Sequence, residues 1–203
     1  MTRPVDLHVV ELLAARLCHD LLGPISAISN GVELLADEEP GFARDAVALV
    51  GESARKASRS LQFYRFAYAF GGGRLAGPEP HLLAAEFFAE TAIQCDYRAE
   101  ARALPLEQQK LVCAMLAVAG EGLPRGGRLV LSAGAVGPEI EATGAGSGPS
   151  PEIRAALSLA VPAAELTSRT VGAYFTGLLA EALGRRLVVS DQAGGFRLGT
   201  AAL

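Results

Sequence analysis

The stretch that decides the fold is residues 10–35, which read VELLAARLCHDLLGPISAISNGVELL. Its strongly apolar residues recur at steps of three and four positions, which is the spacing of a helix with one buried stripe. They are Val10, Ala14, Leu17, Leu21, Ile25, Ile28, Val32 and Leu35. The pattern predicts a helix that runs from Val5 to about Asp37.

A second helical pattern follows after a break at residues 37–41, DEEPG, where proline and glycine end the first one. Its stripe alternates steps of three and four, which is the repeat of a heptad seam. The members are Val47, Val50, Ala54, Ala57, Leu61, Tyr64 and Tyr68. Because the break is short, we predict that the two helices form an antiparallel hairpin.

Both helices carry further apolar residues off these stripes. They are Leu12, Leu22 and Leu34 on the first helix and Phe63, Phe66 and Phe70 on the second. A single hairpin has one seam to bury, so this second apolar row requires more helices. A second copy of the chain is the most economical source, which predicts a homodimer whose two hairpins form a four-helix bundle. The alternative is that the second row packs on the rest of the same chain.

The remainder of the chain has a mixed α/β pattern. Residues 71–78, GGGRLAGP, are typical of a linker between a helical domain, 1–72, and an α/β domain, 78–203. The predicted helices of the second domain cover 81–93, 105–120 and a segment that is capped by Thr167 or Ser168 and closed by Gly184. The predicted strands cover 129–131 and 139–141, followed by a loop at 143–151 and a closing hairpin at 186–190 and 196–200. The fold class is therefore α+β, with a C-terminal α/β sandwich.

Composition and charge narrow the function classes. Half of the residues are hydrophobic and a fifth are charged, which argues against intrinsic disorder. With 18 Lys and Arg against 22 Asp and Glu, the net charge is −4, which argues against nucleic-acid binding. The three cysteines form no CxxC pair, so neither a disulfide framework nor a structural zinc site is expected. The sequence lacks both a signal-peptide pattern and an apolar run of about 18 residues, which predicts a cytoplasmic protein without a membrane span.

His19 is the candidate reactive residue, because it points away from the apolar stripe of the first helix. At about 100° per residue, its side chain lies roughly opposite Leu17 and Leu21, so we expect the imidazole to face solvent. The residues on its own face are small or polar, namely Arg16, Gly23, Ser26 and Asn30. An exposed neutral imidazole is a nucleophile that can carry a phosphoryl group, and the neighbouring Asp20 can accept a proton or hold the imidazole tautomer. The alternative is a surface histidine without a role.

The residues around His19 resemble a known signalling motif. The string LCHDLLGP at residues 17–24 resembles the H-box of sensor histidine kinases, in which a histidine followed by an acid precedes a helix-kinking proline. The longer string HDLLGPISAISNGVELL at residues 19–35 is similar to the ChpT-type histidine phosphotransferases of the bacterial cell-cycle phosphorelay. The strings FAYAFG at 66–71 and LPRGG at 123–127 also resemble that family, so the resemblance covers nearly the whole chain.

The resemblance implies a homodimeric phosphorelay intermediate with a four-helix bundle. His19 would accept a phosphoryl group from the receiver-domain aspartate of a hybrid histidine kinase and pass it to a response regulator, with Asp20 as the neighbouring acid. The polar face around His19 would bind these receivers, which bring their own magnesium; its members are Arg16, Gly23, Ser26 and Asn30. Kinases of the commonest class often have threonine or asparagine four residues after the histidine. This chain has Gly23 there, which argues against a phosphatase role but not against reversible transfer.

The resemblance also implies a C-terminal domain like the ATP-binding domain of histidine kinases, but its residues predict that no nucleotide binds. Kinases hold magnesium and phosphates with asparagines four apart on one helix, where this chain has Ala114 and Val118 and no asparagine after Asn30. The kinase Asp-x-Gly-x-Gly segment corresponds to ATGAG at residues 142–146, where alanine replaces the acid that binds adenine. The glycine-rich stretch is not followed by the Gly-Lys-Ser/Thr of a phosphate loop. We therefore predict no ATP, no other cofactor and no metal on this chain.

Two other functions stay open on the sequence alone. The first is a divergent sensor histidine kinase core that phosphorylates His19 from ATP through an unrecognised site. The second is a non-catalytic dimeric scaffold in which His19 is vestigial. A metal-dependent phosphohydrolase is less favoured, because the His–Asp pair lacks the further His and Asp ligands that such a site needs.

Overall fold

The computed structural model describes residues 6–36, 43–68 and 78–203. Two long helices, α1 (Leu7–Ala36) and α2 (Ala43–Tyr68), precede a mixed region of helices and strands, so the α+β class is confirmed. The predicted helix start at Val5, the break at 37–41, Phe70 and nearly all of the predicted linker lie outside the described residues.

The two long helices form an antiparallel hairpin, as their patterns predict. Gly31 of α1 lies against Val50 near the start of α2, whereas Asp20 of α1 contacts Tyr64 near the end of α2. A Cβ atom at position 31 would lie 2.6 Å from Val50 Cγ2, so only glycine allows the helices to approach this closely. The close contact fixes the register in which α2 presents Tyr64 to α1.

The C-terminal region packs helices on a five-stranded sheet. Its helices are α3 (Pro80–Phe88), α4 (Ala99–Arg102), α5 (Leu106–Glu121), α6 (Pro151–Leu157), a 3₁₀ turn (Ala163–Glu165) and α7 (Val171–Ala182). Its strands are β1 (Ile93–Tyr97), β2 (Gly127–Ala133), β3 (Pro138–Thr143), β4 (Arg185–Gln192) and β5 (Gly195–Ala202). The sheet order is β1-β2-β3-β5-β4, in which β1 is parallel to β2 and the other neighbours are antiparallel.

One face of this sheet and helix α5 form the main core. Leu129 and Leu131 of β2 are buried and alternate with more exposed residues, as expected for a sheet covered on one face. Ile140 of β3 pairs with Leu131 on one side and with Leu198 on the other, so the apolar side chains form one layer. Residues 110–119 of α5 are all buried. The last residue of this helix, Glu121, contacts Arg16 of the hairpin.

The predicted apolar stripes of the hairpin lie largely on the outside of the single chain. Five of their members are 49–59% exposed, namely Val10, Ile25, Val32, Val47 and Leu61. We call these five residues the outer stripe. The expectation that a single hairpin buries its stripes is therefore wrong for these five residues, although the helical spacing itself is confirmed.

The second apolar row is instead buried in part within the chain, which corrects the prediction that it needs a second copy. Phe63 and Phe66 are buried where α2 packs against the C-terminal region. The ring of Phe63 stacks on Phe87 of α3 at a centroid distance of 4.0 Å. Of the other described members, Leu12 is partly buried, whereas Leu22 and Leu34 are exposed. The alternative of packing on the same chain thus holds for the two phenylalanines and Leu12.

Most elements predicted for the C-terminal region are confirmed. The helix predicted over 81–93 ends at Phe88, and Ile93 begins strand β1, which the pattern did not predict. The sequence also gave no sign of α4 and α6. Helix α7 begins only at Val171, because the Thr167 N–H donates to Thr170 Oγ1 at 3.0 Å in a preceding turn. None of the described helices is long and apolar enough to cross a membrane.

Candidate functional site

His19 lies on α1 with an open surface around it. Its side chain is 84% exposed, and Gly23, Ser26 and Asn30 on the same helix are exposed as well. Apart from its chain neighbours and the backbone of its own helix, a Cβ atom at position 23 would meet nothing within 4 Å. Glycine there also avoids the clash that the ring of Pro24 has with a preceding Cβ in a helix. This part of α1 therefore gives a large partner free access to the imidazole.

Asp20 is held beside the imidazole by two hydrogen-bond donors. Its Oδ1 lies 3.6 Å from His19 Nδ1, just beyond hydrogen-bond distance. The Tyr64 hydroxyl donates to Asp20 Oδ2 at 3.0 Å, and Arg16 Nε donates to Oδ2 at 3.2 Å and to Oδ1 at 3.3 Å. The carboxylate is thus anchored on one side and faces the imidazole on the other.

Arg16 connects the site to the C-terminal region. Its Nη2 donates to Glu121 Oε1 at 2.7 Å, and its Nη1 donates to the carbonyl oxygen of Ser168 at 3.2 Å. Burial lowers the pKa of Arg16, but the carboxylates of Glu121 and Asp20 outweigh this effect and the pKa is raised. Burial has the opposite effect on an acid: it raises the pKa of Glu121, although the positive charge of Arg16 opposes this shift. The sequence predicts Arg16 on the receiver-binding face; the structure directs its guanidinium to partners within the chain.

Tyr64 belongs to an aromatic cluster that fixes its ring. Tyr68 stacks on it at a centroid distance of 5.8 Å, and Phe63 and Phe87 contact it edge-on at 5.9 and 5.6 Å. Burial, followed by the charge of Asp20, raises the pKa of Tyr64 far above its ordinary value. The hydroxyl is therefore protonated at physiological pH and donates to Asp20.

A groove of about 390 Å³ opens beside these residues, between the hairpin and helices α3 and α5. Asp20 and Tyr64 line it on the hairpin side, and Glu90 and Glu121 line it on the opposite side. Arg59 of α2 contacts Glu90 across it at 2.6 Å. The groove extends the accessible surface from Asp20 toward the C-terminal region.

The positions at which the family resemblance would place nucleotide ligands are occupied by the core. Ala114 and Val118 of α5 are buried, as is Ala142 of β3. Their apolar side chains offer no ligand to phosphate, magnesium or adenine. Across residues 6–36, 43–68 and 78–203, no three His, Cys, Asp or Glu side chains are grouped so that they could hold a metal ion. That the chain works without ATP or metal stays a prediction.

Sequence reasoning missed Tyr64, Glu121 and Ser168 as members of this site. The heptad pattern treats Tyr64 as a seam residue, yet a buried tyrosine hydroxyl needs a hydrogen-bond partner. An acid as the last residue of α5 opposes the helix dipole, which indicates a nearby cation. Neither signal identifies the partner, because the partners are distant in sequence. Tyr64 and Asp20 are 44 positions apart, and Glu121 and Arg16 are 105 positions apart.

The chain is similar to known phosphotransferases over nearly its whole length. A family model for the histidine phosphotransferase C-terminal domain matches residues 78–195. The protein phosphotransferase ChpT of Brucella abortus (strain 2308) is 33% identical over 199 residues, which covers 93% of this chain and 94% of that protein. A bacterial phosphotransferase whose structure is known at 1.7 Å matches with a TM-score of 0.79 and 31% identity, over 99% of this chain and 100% of that one.

Proposed function

Because the chain belongs to the ChpT-type histidine phosphotransferases, we propose that His19 is the residue through which it relays phosphoryl groups between receiver domains. Family membership favours a phosphorelay phosphotransferase over the kinase-core and scaffold alternatives. One observation supports the assignment to His19 above all: its imidazole is 84% exposed, with the Asp20 carboxylate 3.6 Å from Nδ1. An exposed nucleophile without an enclosing pocket suits a substrate that is itself a protein.

The geometry gives the two ring nitrogens of His19 different tasks. Nδ1 faces Asp20, so Nε2 is the nitrogen that attacks the phosphorus of a receiver aspartyl phosphate. An N–P bond forms at Nε2 while the O–P bond to the receiver breaks, and its electron pair stays on the receiver carboxylate. The positive charge that develops on the imidazole is stabilised at Nδ1–H by Asp20. The reverse steps pass the phosphoryl group to a second receiver.

Receiver domains are the partners that such a relay requires, and we propose that they dock on the exposed face of α1. Gly23, Ser26 and Asn30 form this face, and magnesium comes with the receiver together with the receiver's own carboxylates. The sequence-based expectation that the relay operates in the cytoplasm stays a prediction.

The direct test is incubation of the purified chain with a receiver domain that carries labelled phosphate. The label should move to this chain as an acid-labile phosphate, and peptide mapping should place it on His19. Transfer onward to a second, unphosphorylated receiver should then remove it. A chain that takes up no label from any receiver of its own organism would contradict the proposal.

Ser26→Trp is expected to slow transfer without unfolding the protein. The indole would hold a docked receiver away from His19, and we expect a loss of about 10- to 100-fold, since a misplacement of about 1 Å can reduce a rate by about 100-fold. Ser190→Trp, at an exposed position of β4, is the matched control and should transfer at the wild-type rate. Wild-type rates for Ser26→Trp with two different receivers would show that docking lies elsewhere.

We further propose that the chain is a homodimer joined through the outer stripe. At about 100° per residue, Val10, Ile25 and Val32 lie about 120–180° away from His19 around α1. A partner helix on that side would bury the exposed apolar residues and leave both copies of His19 accessible. The support for a homodimer therefore comes from the outer stripe, and not from the second apolar row.

The proposed relay uses no nucleotide, and calorimetry with Mg-ATP at millimolar concentration is expected to show no saturable heat. The reason is that Ala114, Val118 and Ala142, all buried, replace the groups that would hold phosphate, magnesium and adenine. A histidine kinase core measured in the same buffer serves as the positive control. Saturable binding with a micromolar constant would favour the kinase alternative again.

A further inference from the structure

Side chains from three helices form a continuous series of contacts that ends at His19. Glu121 of α5 accepts from Arg16 Nη2 at 2.7 Å, and Arg16 Nε donates to both oxygens of Asp20. Tyr64 of α2 donates to Asp20 Oδ2 at 3.0 Å, and Asp20 Oδ1 faces His19 Nδ1. The transfer chemistry described above uses only His19 and Asp20, which leaves three charged or polar groups of this series without a task.

We propose that Arg16 and Tyr64 are positioning residues that hold the Asp20 carboxylate against His19, and that Glu121 of the C-terminal region holds Arg16 in turn. The inference rests on the proposed function of His19. It gives the C-terminal region a part in phosphotransfer that requires no nucleotide.

Asp20 needs this support because it lies next to an open surface. An aspartate side chain has several rotamers on a helix, and water competes for its oxygens. Donors at 3.0–3.3 Å from Arg16 and Tyr64 restrict the carboxylate to the rotamer in which Oδ1 faces Nδ1. Hydrogen bonds to a charged acceptor are the stronger kind, so this restriction is effective.

Arg16 is restricted in its turn, because all three of its guanidinium nitrogens are engaged. Nε donates to Asp20, Nη1 to the Ser168 carbonyl and Nη2 to Glu121. Each terminal nitrogen keeps one further N–H, but the bonds within the chain fix the orientation of the guanidinium, and only 22% of the side chain is exposed. A positioning role and a docking role for Arg16 therefore predict different kinetics.

The first test compares Tyr64→Phe with Tyr68→Phe in single-turnover transfer from a phosphorylated receiver at increasing receiver concentrations. Tyr64→Phe keeps the stacked ring and removes only the donor to Asp20, whereas the Tyr68 hydroxyl makes no hydrogen bond within the described part of the chain. We expect Tyr64→Phe to lower the maximal rate by about tenfold, the factor for one hydrogen bond to a charged group, at an unchanged half-saturating concentration. Tyr68→Phe should transfer like the wild type.

The second test is a double-mutant cycle of Arg16→Gln, Glu121→Gln and the combined variant. If Glu121 acts only through Arg16, the combined variant should be no slower than Arg16→Gln alone. Both single variants should lower the maximal rate and leave the half-saturating receiver concentration unchanged. A raised half-saturating concentration with an unchanged maximal rate would assign Arg16 to docking and overturn the inference.

Failure of this inference can be distinguished from failure of the proposed function. His19→Ala tests the function, because label on that variant would place the phosphoryl group elsewhere. If His19→Ala takes up no label while Tyr64→Phe and Glu121→Gln transfer at the wild-type maximal rate, His19 keeps its role and the positioning proposal is wrong. Thermal unfolding of each variant confirms that the compared proteins are folded.

Discussion

Replacement of His19 by alanine is expected to abolish phosphate uptake from a phosphorylated receiver domain while the fold stays intact. Alanine removes the nucleophilic nitrogen, so no N–P bond can form. Because the side chain is 84% exposed, the free energy of unfolding should change by less than about 0.5 kcal/mol. Labelled phosphate bound to the protein and the midpoint of thermal unfolding measure the two effects separately.

The other two histidines of the chain supply the matched controls for this substitution. His8 is partly buried near the start of α1, and His81 Nδ1 lies 3.3 Å from Glu79 Oε2 at the start of α3. His8→Ala and His81→Ala should therefore keep full phosphate uptake. Wild-type labelling of His19→Ala, or phosphate mapped to either control position, would contradict the assignment of the acceptor.

The local elements of this fold could be predicted from the sequence because their signals are local. Helix α5 and the β4–β5 hairpin follow from apolar runs bounded by proline and glycine. Strand β1 could not be predicted, since Ile93 continues the apolar pattern of the preceding helix and the strand acquires its pairing only from β2. Helices α4 and α6 have 4 and 7 residues, too few for a periodic pattern to be recognised.

The residues of the candidate site also differ in whether a local pattern predicts them. His19 and Asp20 are neighbours in sequence, so one helical pattern and one motif predict both. Tyr64 and Glu121 reach the site only because α2 and α5 pack beside α1, and no local pattern contains that packing. The direction of the Arg16 side chain depends on Glu121 in the same way. A single sequence thus suffices to propose His19 as the nucleophile, whereas the groups that contact Asp20 beside it require the structure.

The two apolar rows of the hairpin show a further limit of periodicity. The spacing establishes that α1 and α2 each carry two apolar rows, but it does not reveal which row faces the same chain. Phe63 packs on the C-terminal region, where its ring stacks on Phe87, and Phe66 is buried as well. The outer stripe consequently stays exposed on the single chain.

A purified chain should form a dimer at micromolar concentration, with a mass by light scattering of about twice its 21.0 kDa. The outer stripe provides the driving force, because full burial of each large apolar side chain contributes about 1.5–3 kcal/mol. Five partly exposed residues from each protomer can together offset an association cost of roughly 4–15 kcal/mol. The His19 face lies on the other side of α1, so dimerisation and receiver docking do not compete.

Ile25→Asp should convert this dimer into a monomer of 21.0 kDa, because it places a charge in the middle of the outer stripe. Leu82→Asp is the matched control: Leu82 of α3 is 49% exposed, as is Ile25, but it lies outside the stripe, so the variant should stay dimeric. Val32→Asp and Val47→Asp extend the test to a second site on α1 and to α2. Leu82→Asp should unfold near the wild-type temperature, whereas the stripe variants should unfold at a lower temperature, because a monomer lacks the stabilisation that association gives the folded state. A monomeric wild type, or a dimer that survives all three stripe substitutions, would contradict the four-helix bundle and place any self-association on another surface.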